Sequence, residues 1–234
     1  MEARRLVVEV FDSVAKSYDE WYAQPAGQAV LRTEARMLDA VLPEGVGAEV
    51  GAGTCVFPPL LSWGREIVCL DPSLGMLGLG RGRCPHLAAG TAEEPPIRPG
   101  SLDFIFMVTV LEFLEDPVKA LKAAGSLLKR SGVLAVLFIE RESRWGRFYG
   151  ELAGKRTDPV LAAARFLSLR EVLSLVERSG FRVRRILQAL DYEPLTVPET
   201  EPPVYEGAPC SDCGIALVAA TRDQPARSSL GVQN

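Results

Sequence analysis

The sequence predicts a three-layer, doubly wound, Rossmann-like α/β fold. A seven-stranded, mostly parallel sheet with an antiparallel last strand is covered by helices and preceded by a helical lid. Three observations lead there. Short apolar strands alternate with helical stretches along most of the chain, the pattern of a parallel sheet buried on both faces. The first strand runs into a tight glycine turn, Gly47-Ala48-Glu49-Val50-Gly51-Ala52-Gly53-Thr54. The second, Ile67-Val68-Cys69-Leu70-Asp71, ends on an acid twenty positions beyond Gly51.

Residues 7–42 read as two helices, because Phe11, Val14, Ala15 and Tyr18, then Val30, Ala35, Leu38 and Val41, recur at helical steps. Pro25-Ala26-Gly27 separates them, and Pro43-Glu44-Gly45 ends the second. Strands are expected at about 46–50, 66–70, 86–90, 102–108, 132–139, 181–190 and 214–221. Helices are expected near 53–63, 73–81, 117–130 and 168–179. No helix separates the last two strands, so the final one is expected to run antiparallel. Right-handed crossovers then set the strand-end motifs along one edge of the sheet.

Residues 141–167 exceed a simple crossover and mix aromatic with charged types, including Trp145, Tyr149, Asp158 and Phe166. Insertions at the ligand edge of such sheets form lids or substrate walls. Residues 192–212 hold five prolines and read as an extended excursion, and the polar stretch 224–234 reads as a disordered tail. One domain over residues 1–223 is expected, with residues 1–43 as its lid.

A glycine turn between a buried strand and a helix lets backbone approach a polar ligand, and the acid after the next strand suits a ribose diol. A dinucleotide site asks for a third glycine, where this chain has Val56, so a nicotinamide-dependent oxidoreductase fits poorly. Further motifs follow in order: Leu70-Asp71-Pro72-Ser73 with Met76, Gly90-Thr91-Ala92-Glu93-Glu94, Ser101 to Val108, Leu114-Glu115-Asp116-Pro117 and Leu127 to Leu134. The series resembles the class I S-adenosylmethionine-dependent methyltransferases, in particular their small-molecule, type 11 branch, over roughly residues 10 to 190.

The resemblance implies S-adenosyl-L-methionine as cofactor and assigns roles residue by residue. Glu49 braces the glycine loop, Gly51, Ala52 and Gly53 line the methionine portion, and Thr54 opens the following helix, where its hydroxyl also suits an N-cap. Cys55 departs from the glycine often found there. Asp71, with Pro72, takes the ribose hydroxyls; the alternative is a cap on the next helix. Met76 lies along the adenine, Thr91, Ala92 and Glu93 meet the adenine edge, and Val108, Thr109 and Leu111 close the site after the fourth strand. Tyr18 contacts the cofactor from the first helix. Trp21, Tyr22, Trp145 and Tyr149 are left to enclose the acceptor, the last two on one face if 145–149 is helical. Relatives often carry histidine where this chain has Phe113, so a base would have to be Glu112, Glu140 or Tyr149. The lone histidine, His86, falls at the opposite edge of the sheet.

A formal net charge of −4 argues against a nucleic-acid partner held by phosphate neutralisation. The longest apolar run, Val133 to Ile139, is too short for a membrane span, and no secretory leader is visible. Five cysteines fit a reducing, cytoplasmic setting better than a disulfide scaffold. Cys210-Ser211-Asp212-Cys213 is a single C-x-x-C, open to a redox pair, unpaired thiols or a shared metal; no resident metal is expected. The expected activity is methyl transfer to a small-molecule acceptor, with a non-catalytic cofactor-binding regulatory module as the alternative.

Overall fold

The computed structural model describes residues 2–207 and 210–223. The expected tail, 224–234, lies outside the described residues. Eight strands form one sheet: β1 (Gly45–Val50), β2 (Arg65–Asp71), β3 (His86–Ala89), β4 (Leu102–Val108), β5 (Leu128–Ile139), β6 (Phe181–Ala189), β7 (Tyr205–Glu206) and β8 (Ile215–Arg222). Their order across the sheet is β3-β2-β1-β4-β5-β8-β6-β7. β1 to β5 pair in parallel, and β8 slots antiparallel between β5 and β6. The eighth strand is β7, a two-residue segment of the proline-rich excursion that pairs with Leu187 and Gln188. Two residues carry no readable periodicity, so only pairing reveals it.

Alternate residues of each strand face opposite layers. In β4, Phe104 and Phe106 enter one core with α2 (Pro25–Asp39), while Ile105 and Met107 enter the other with α4 (Pro117–Leu127) and α7 (Leu169–Arg178). β4 is accordingly an almost unbroken apolar run, as a central strand buried on both faces requires. α7 starts on a capping box between Ser168 and Glu171.

The largest departure from expectation lies between β1 and β2. The helix expected over 53–63 is absent, and Thr54 caps nothing; only a one-turn 3-10 helix at Pro58–Leu60 is present. Cys55 sits at φ 56, outside helical geometry, and Pro58-Pro59 lack the N–H groups that an interior helical turn needs. α4 also stops at Leu127 instead of running to 130, because β5 begins at Leu128 and absorbs Ser131-Gly132 through a register shift opposite Leu102 and Phe104.

α1 (Glu2–Ala23) lies against α3 (Leu74–Gly80), and α2 follows after Gln24 with Pro25 in its first turn. Gly27 breaks nothing: it is buried within α2, where a Cβ would meet the Trp21 carbonyl oxygen at 2.1 Å. After β5, α5 (Arg144–Lys155) and α6 (Pro159–Ala163) build the insertion and pack on each other, and α6 packs on α1. Cys210 and Cys213 form a disulfide in the loop before β8. Among the described residues no helix is long and apolar enough to cross a membrane, and no group of three His, Cys, Asp or Glu side chains is arranged to hold a metal ion.

The pairing of β1 with β4 tolerates no side chain at Gly47, whose Cβ would lie 2.2 Å from the Phe104 ring. Gly47→Ala should therefore overpack the core and lower stability by about 1–3 kcal/mol. A urea denaturation series checks this, and an unchanged midpoint would mean that Phe104 can swing away.

Candidate active site

A cavity of about 580 Å³ opens at the carboxyl ends of β1, β2, β4 and β5, where the strand order reverses between β1 and β4. That is where ligands bind in doubly wound sheets, and the volume is in the range of small-molecule sites. α1, α5 and α6 roof it.

The glycine loop is organised by one carboxylate. Asp71 is 8% exposed, and its Oδ2 accepts from the Gly53 N–H at 2.8 Å while Oδ1 accepts from the Ser73 N–H at 2.8 Å. Burial pushes its pKa up, against the pull of these two donors. The N–H groups of Gly51 and Ala52 both reach the Leu70 carbonyl, at 2.8 and 3.0 Å. The loop donors are thus engaged within the protein, and what the loop offers a ligand is bare backbone. Gly51 has φ 73 and Gly53 φ 52; a Cβ on Gly51 would strike Val110 at 2.4 Å, whereas one on Gly53 would stand 3.7 Å from Tyr18. Thr109, at φ 50, is a β-branched residue in the same sparsely populated region, held by its N–H on the Leu137 carbonyl at 2.8 Å.

Of the residues expected at the cofactor, Tyr18, Gly51, Gly53, Asp71, Pro72, Met76, Thr91, Ala92, Glu93, Val108 and Thr109 line the cavity. Glu49, Ala52, Thr54 and Leu111 do not. Glu49 points into the layer behind the loop, where its Oε2 lies 3.8 Å from Cys69 Sγ. There the fold gathers Cys69 with Cys55 and Cys84, three thiols that looked scattered in sequence. Ala52 faces the core, and Leu111 packs in the α4-side core. Thr54 is buried, its hydroxyl oxygen without a hydrogen-bond partner.

The residues expected around an acceptor, Trp21, Tyr22, Trp145 and Tyr149, all line the cavity. α5 does place Trp145 and Tyr149 one turn apart, with ring centroids 6.1 Å apart. Trp145 is only 2% exposed and donates from Nε1 to the Tyr192 carbonyl at 2.6 Å, so it is as much core as wall. Tyr149 stacks on Phe166 at 6.4 Å. Burial raises the pKa of Tyr18, and likewise of Tyr149, to about 12, which keeps both phenols neutral.

Two acids complete this half. Glu112, in the turn after β4, accepts the Ile139 N–H on Oε1 at 3.1 Å, and burial lifts it to about 7. Glu34, on α2, is lifted to about 8 by burial first and then by the Glu112 charge. Both line the cavity, and Oε2 of each lacks a hydrogen-bond partner. Glu34 escaped the reading of α2 as an apolar stripe. Its spacing betrays it, four residues after Val30 and four before Leu38 on the buried face. Glu140 is occupied as a structural acceptor, taking the N–H groups of Glu142 and Leu169, and lies off the cavity.

The raised acids set a pH dependence. The folded chain keeps protons on Glu34 and Glu112 up to about pH 8 and 7, whereas the unfolded chain releases them near 4.5. Folded protein binds more protons in that window, so stability falls as pH rises through it. The melting temperature should drop by at least about 4 °C between pH 5 and 8, and Glu34→Gln should remove part of the drop. A flat thermal profile would mean that both acids ionise normally.

The family model for a methyltransferase domain matches residues 48–136. An uncharacterized protein of Methanocaldococcus jannaschii is 30% identical over 183 residues, 78% of this chain and 86% of its own length. The demethylmenaquinone methyltransferase of Renibacterium salmoninarum is 33% identical over 135 residues, 56% of this chain and 57% of that one. Among solved structures, a SAM-dependent methyltransferase of Thermotoga maritima, described as a possible histamine N-methyltransferase, superposes with a TM-score of 0.79 at 31% identity. That match covers 92% of this chain and 99% of the other, a relationship of sequence as well as fold. The chain belongs to the class I S-adenosylmethionine-dependent methyltransferases.

Proposed function

We propose that the chain transfers the methyl group of S-adenosylmethionine to a small molecule enclosed in the same cavity. The observation that carries this reading is the division of one continuous cavity into two chemically distinct halves. Over β1 and β2 stand bare glycine backbone, a buried carboxylate and Met76; over β5 and β8 stand aromatic rings and two buried acids.

The first half suits the cofactor. Asp71 uses one acceptor site of each oxygen on Gly53 and Ser73, and a carboxylate has roughly four, so both oxygens can still take ribose hydroxyls. Gly51 and Gly53 leave room for the methionine chain beside backbone, and Met76, 1% exposed, offers a polarisable thioether to the adenine. Thr91, Ala92 and Glu93 follow β3 at the adenine edge, with Val108 and Thr109 between the halves. Bound S-adenosylmethionine supplies a methyl carbon already activated by a sulfonium sulfur. What remains for the protein is to orient the acceptor and exclude water, and orientation alone contributes about 7–11 kcal/mol.

Exclusion of water falls to α1. Asp12 accepts from Ser73 Oγ at 2.6 Å and from the Gly75 N–H at 2.9 Å, and Asp19 pairs with Arg83, whose Nη2 lies 2.9 Å from Oδ2. Tyr18 between these latches, with Phe11 just before them and Trp21 just after, faces the cavity. The helix closes over the ligands as a lid, fixed to the cofactor side at two points.

Asp71→Ala should lose charge-assisted hydrogen bonds of about 1.5–3 kcal/mol, or roughly ten- to a hundredfold in S-adenosylhomocysteine affinity by calorimetry. Unchanged affinity in a folded variant would place the ribose elsewhere. Tyr149→Ala should lower turnover of a true acceptor while cofactor affinity stays within about twofold. Collapse of cofactor affinity instead would assign α5 to the cofactor half. Amide hydrogen exchange of residues 7–23 should slow on adding S-adenosylhomocysteine, more than in the sheet. Equal protection in both states would make α1 a fixed wall.

A further inference from the structure

We propose that the acceptor is a small apolar amine that enters as an ammonium ion and is held between Glu34 and Glu112 in the aromatic half of the cavity. This narrows the methyl-transfer reading above to a substrate class and rests on it.

Three observations converge on a cation. Glu34 and Glu112 are 4% and 3% exposed and both line the cavity, and each keeps a buried Oε2, turned away from the open space, without a hydrogen-bond partner. The two acids therefore do not satisfy one another through a shared proton between those oxygens. Second, no Lys, Arg or His side chain is among the described residues lining the cavity, so the wall offers these carboxylates no counter-ion. Buried carboxyls without a partner stay neutral by holding a proton, and a ligand cation entering beside them would replace that proton as the compensating charge. Third, the surrounding surface is aromatic. Tyr22, Tyr149, Phe113 and Phe166 face the same space, and ring faces attract ammonium groups while excluding anions.

The topology sets the acids where an acceptor must stand. Glu112 follows β4 and is tied to the end of β5 through the Ile139 N–H, and Ile139 pairs with Ile215 of β8. Glu34 reaches the same region from α2. Neither belongs to the loop and strand ends around Asp71, on the far side of Val108 and Thr109.

The same acids can make the nitrogen nucleophilic. An ammonium has no lone pair, so it must first give up a proton; Glu34, lifted to about 8, is a base of suitable strength within the cavity. The neutral amine then forms the new nitrogen–carbon bond with its lone pair. The methyl carbon–sulfur bond breaks, and its electron pair stays on sulfur as a neutral thioether. The product leaves as the methylated ammonium, and the proton on Glu34 returns to solvent. The bound cation draws Glu34 and Glu112 into the carboxylate form, releasing to solvent the protons they otherwise hold, and Glu112 then faces the positive charge of substrate and product. An alcohol of the same shape would bring no positive charge to displace the protons on Glu34 and Glu112, and an acid would add a negative charge beside them.

Calorimetry on the full chain with S-adenosylhomocysteine bound tests this with three probes of one ring system: tryptamine, tryptophol and indole-3-propionate. Phenethylamine and butylamine extend the amine series. At least one amine should bind, tryptamine at least about tenfold tighter than tryptophol, and the carboxylate probe least of all. Glu34→Gln should weaken the bound amine by at least about tenfold and leave S-adenosylhomocysteine affinity within about twofold. Its melting temperature should not fall, since the change removes a buried unpaired carboxyl; should it fail to fold, Glu112→Gln carries the same test. Failure of every amine to bind, an alcohol binding as tightly as its amine, or unaltered amine affinity in the folded variant would overturn the assignment. Failure of S-adenosylhomocysteine itself to bind the wild-type chain would instead overturn the methyl-transfer reading beneath it.

Discussion

The Asp71 carboxylate is the constraint around which the glycine-loop half of the cavity is arranged. It receives the Gly53 N–H from the loop after β1 and the Ser73 N–H from the start of α3, joining three chain segments at one buried charge. Ser73 extends the connection: its hydroxyl caps α3 at the Met76 N–H and donates to Asp12 on the lid helix. Loop, strand end, helix start and lid therefore share a continuous hydrogen-bond chain. Its geometry explains how a loop without a following helix is held in place. In many doubly wound folds a helix N-terminus fixes the glycine turn; here a carboxylate and the Leu70 carbonyl do so. A charge with two backbone donors is strongly directional, and charge-assisted bonds are about twice as strong as neutral ones.

The acids at the other end of the cavity obey a different logic. Asp71 is buried but compensated by donors, whereas Glu34 and Glu112 are buried with an oxygen each left over. Leaving such groups in a low-dielectric space destabilises the fold, and folded proteins retain that arrangement where function uses it. The neighbouring phenols do not relieve the acids. Tyr18 and Tyr22 approach one another at 3.3 Å between hydroxyl oxygens, and burial holds both in the neutral form. The cavity thus combines one end organised by a hydrogen-bonded carboxylate with another whose buried acids keep unpartnered oxygens.

Much of the glycine-loop side of the cavity was legible in the residues themselves because it lies close along the chain. Glycine at 51 and 53 and aspartate at 71 each sit at a strand end, and strand ends in a parallel sheet converge without further information. Glu49, Ala52, Thr54 and Leu111 share those segments yet face away, since neighbouring residues in a strand or turn point to opposite sides. Glu34 is the reverse case. It sits in a helix read only for its apolar stripe, more than seventy residues from Glu112, and its meaning depends on where α2 packs.

By itself the sequence determined the sheet, its parallel core, the antiparallel last strand and the cofactor class, because strand periodicity, glycine turns and terminal acids are local signals. Tertiary structure alone decided the rest. Cys55 in a left-handed conformation and the Pro58-Pro59 pair removed an expected helix, and the pairing of Tyr205–Glu206 with β6 added a strand too short to show periodicity. Packing of α2 and α5 around the ends of β4, β5 and β8 brought Glu34, Glu112 and Tyr149 to one space. The physical reason is range: hydrogen-bonded turns and strand alternation are set by neighbours in sequence, whereas burial of a charge is set by whatever the rest of the chain folds over it.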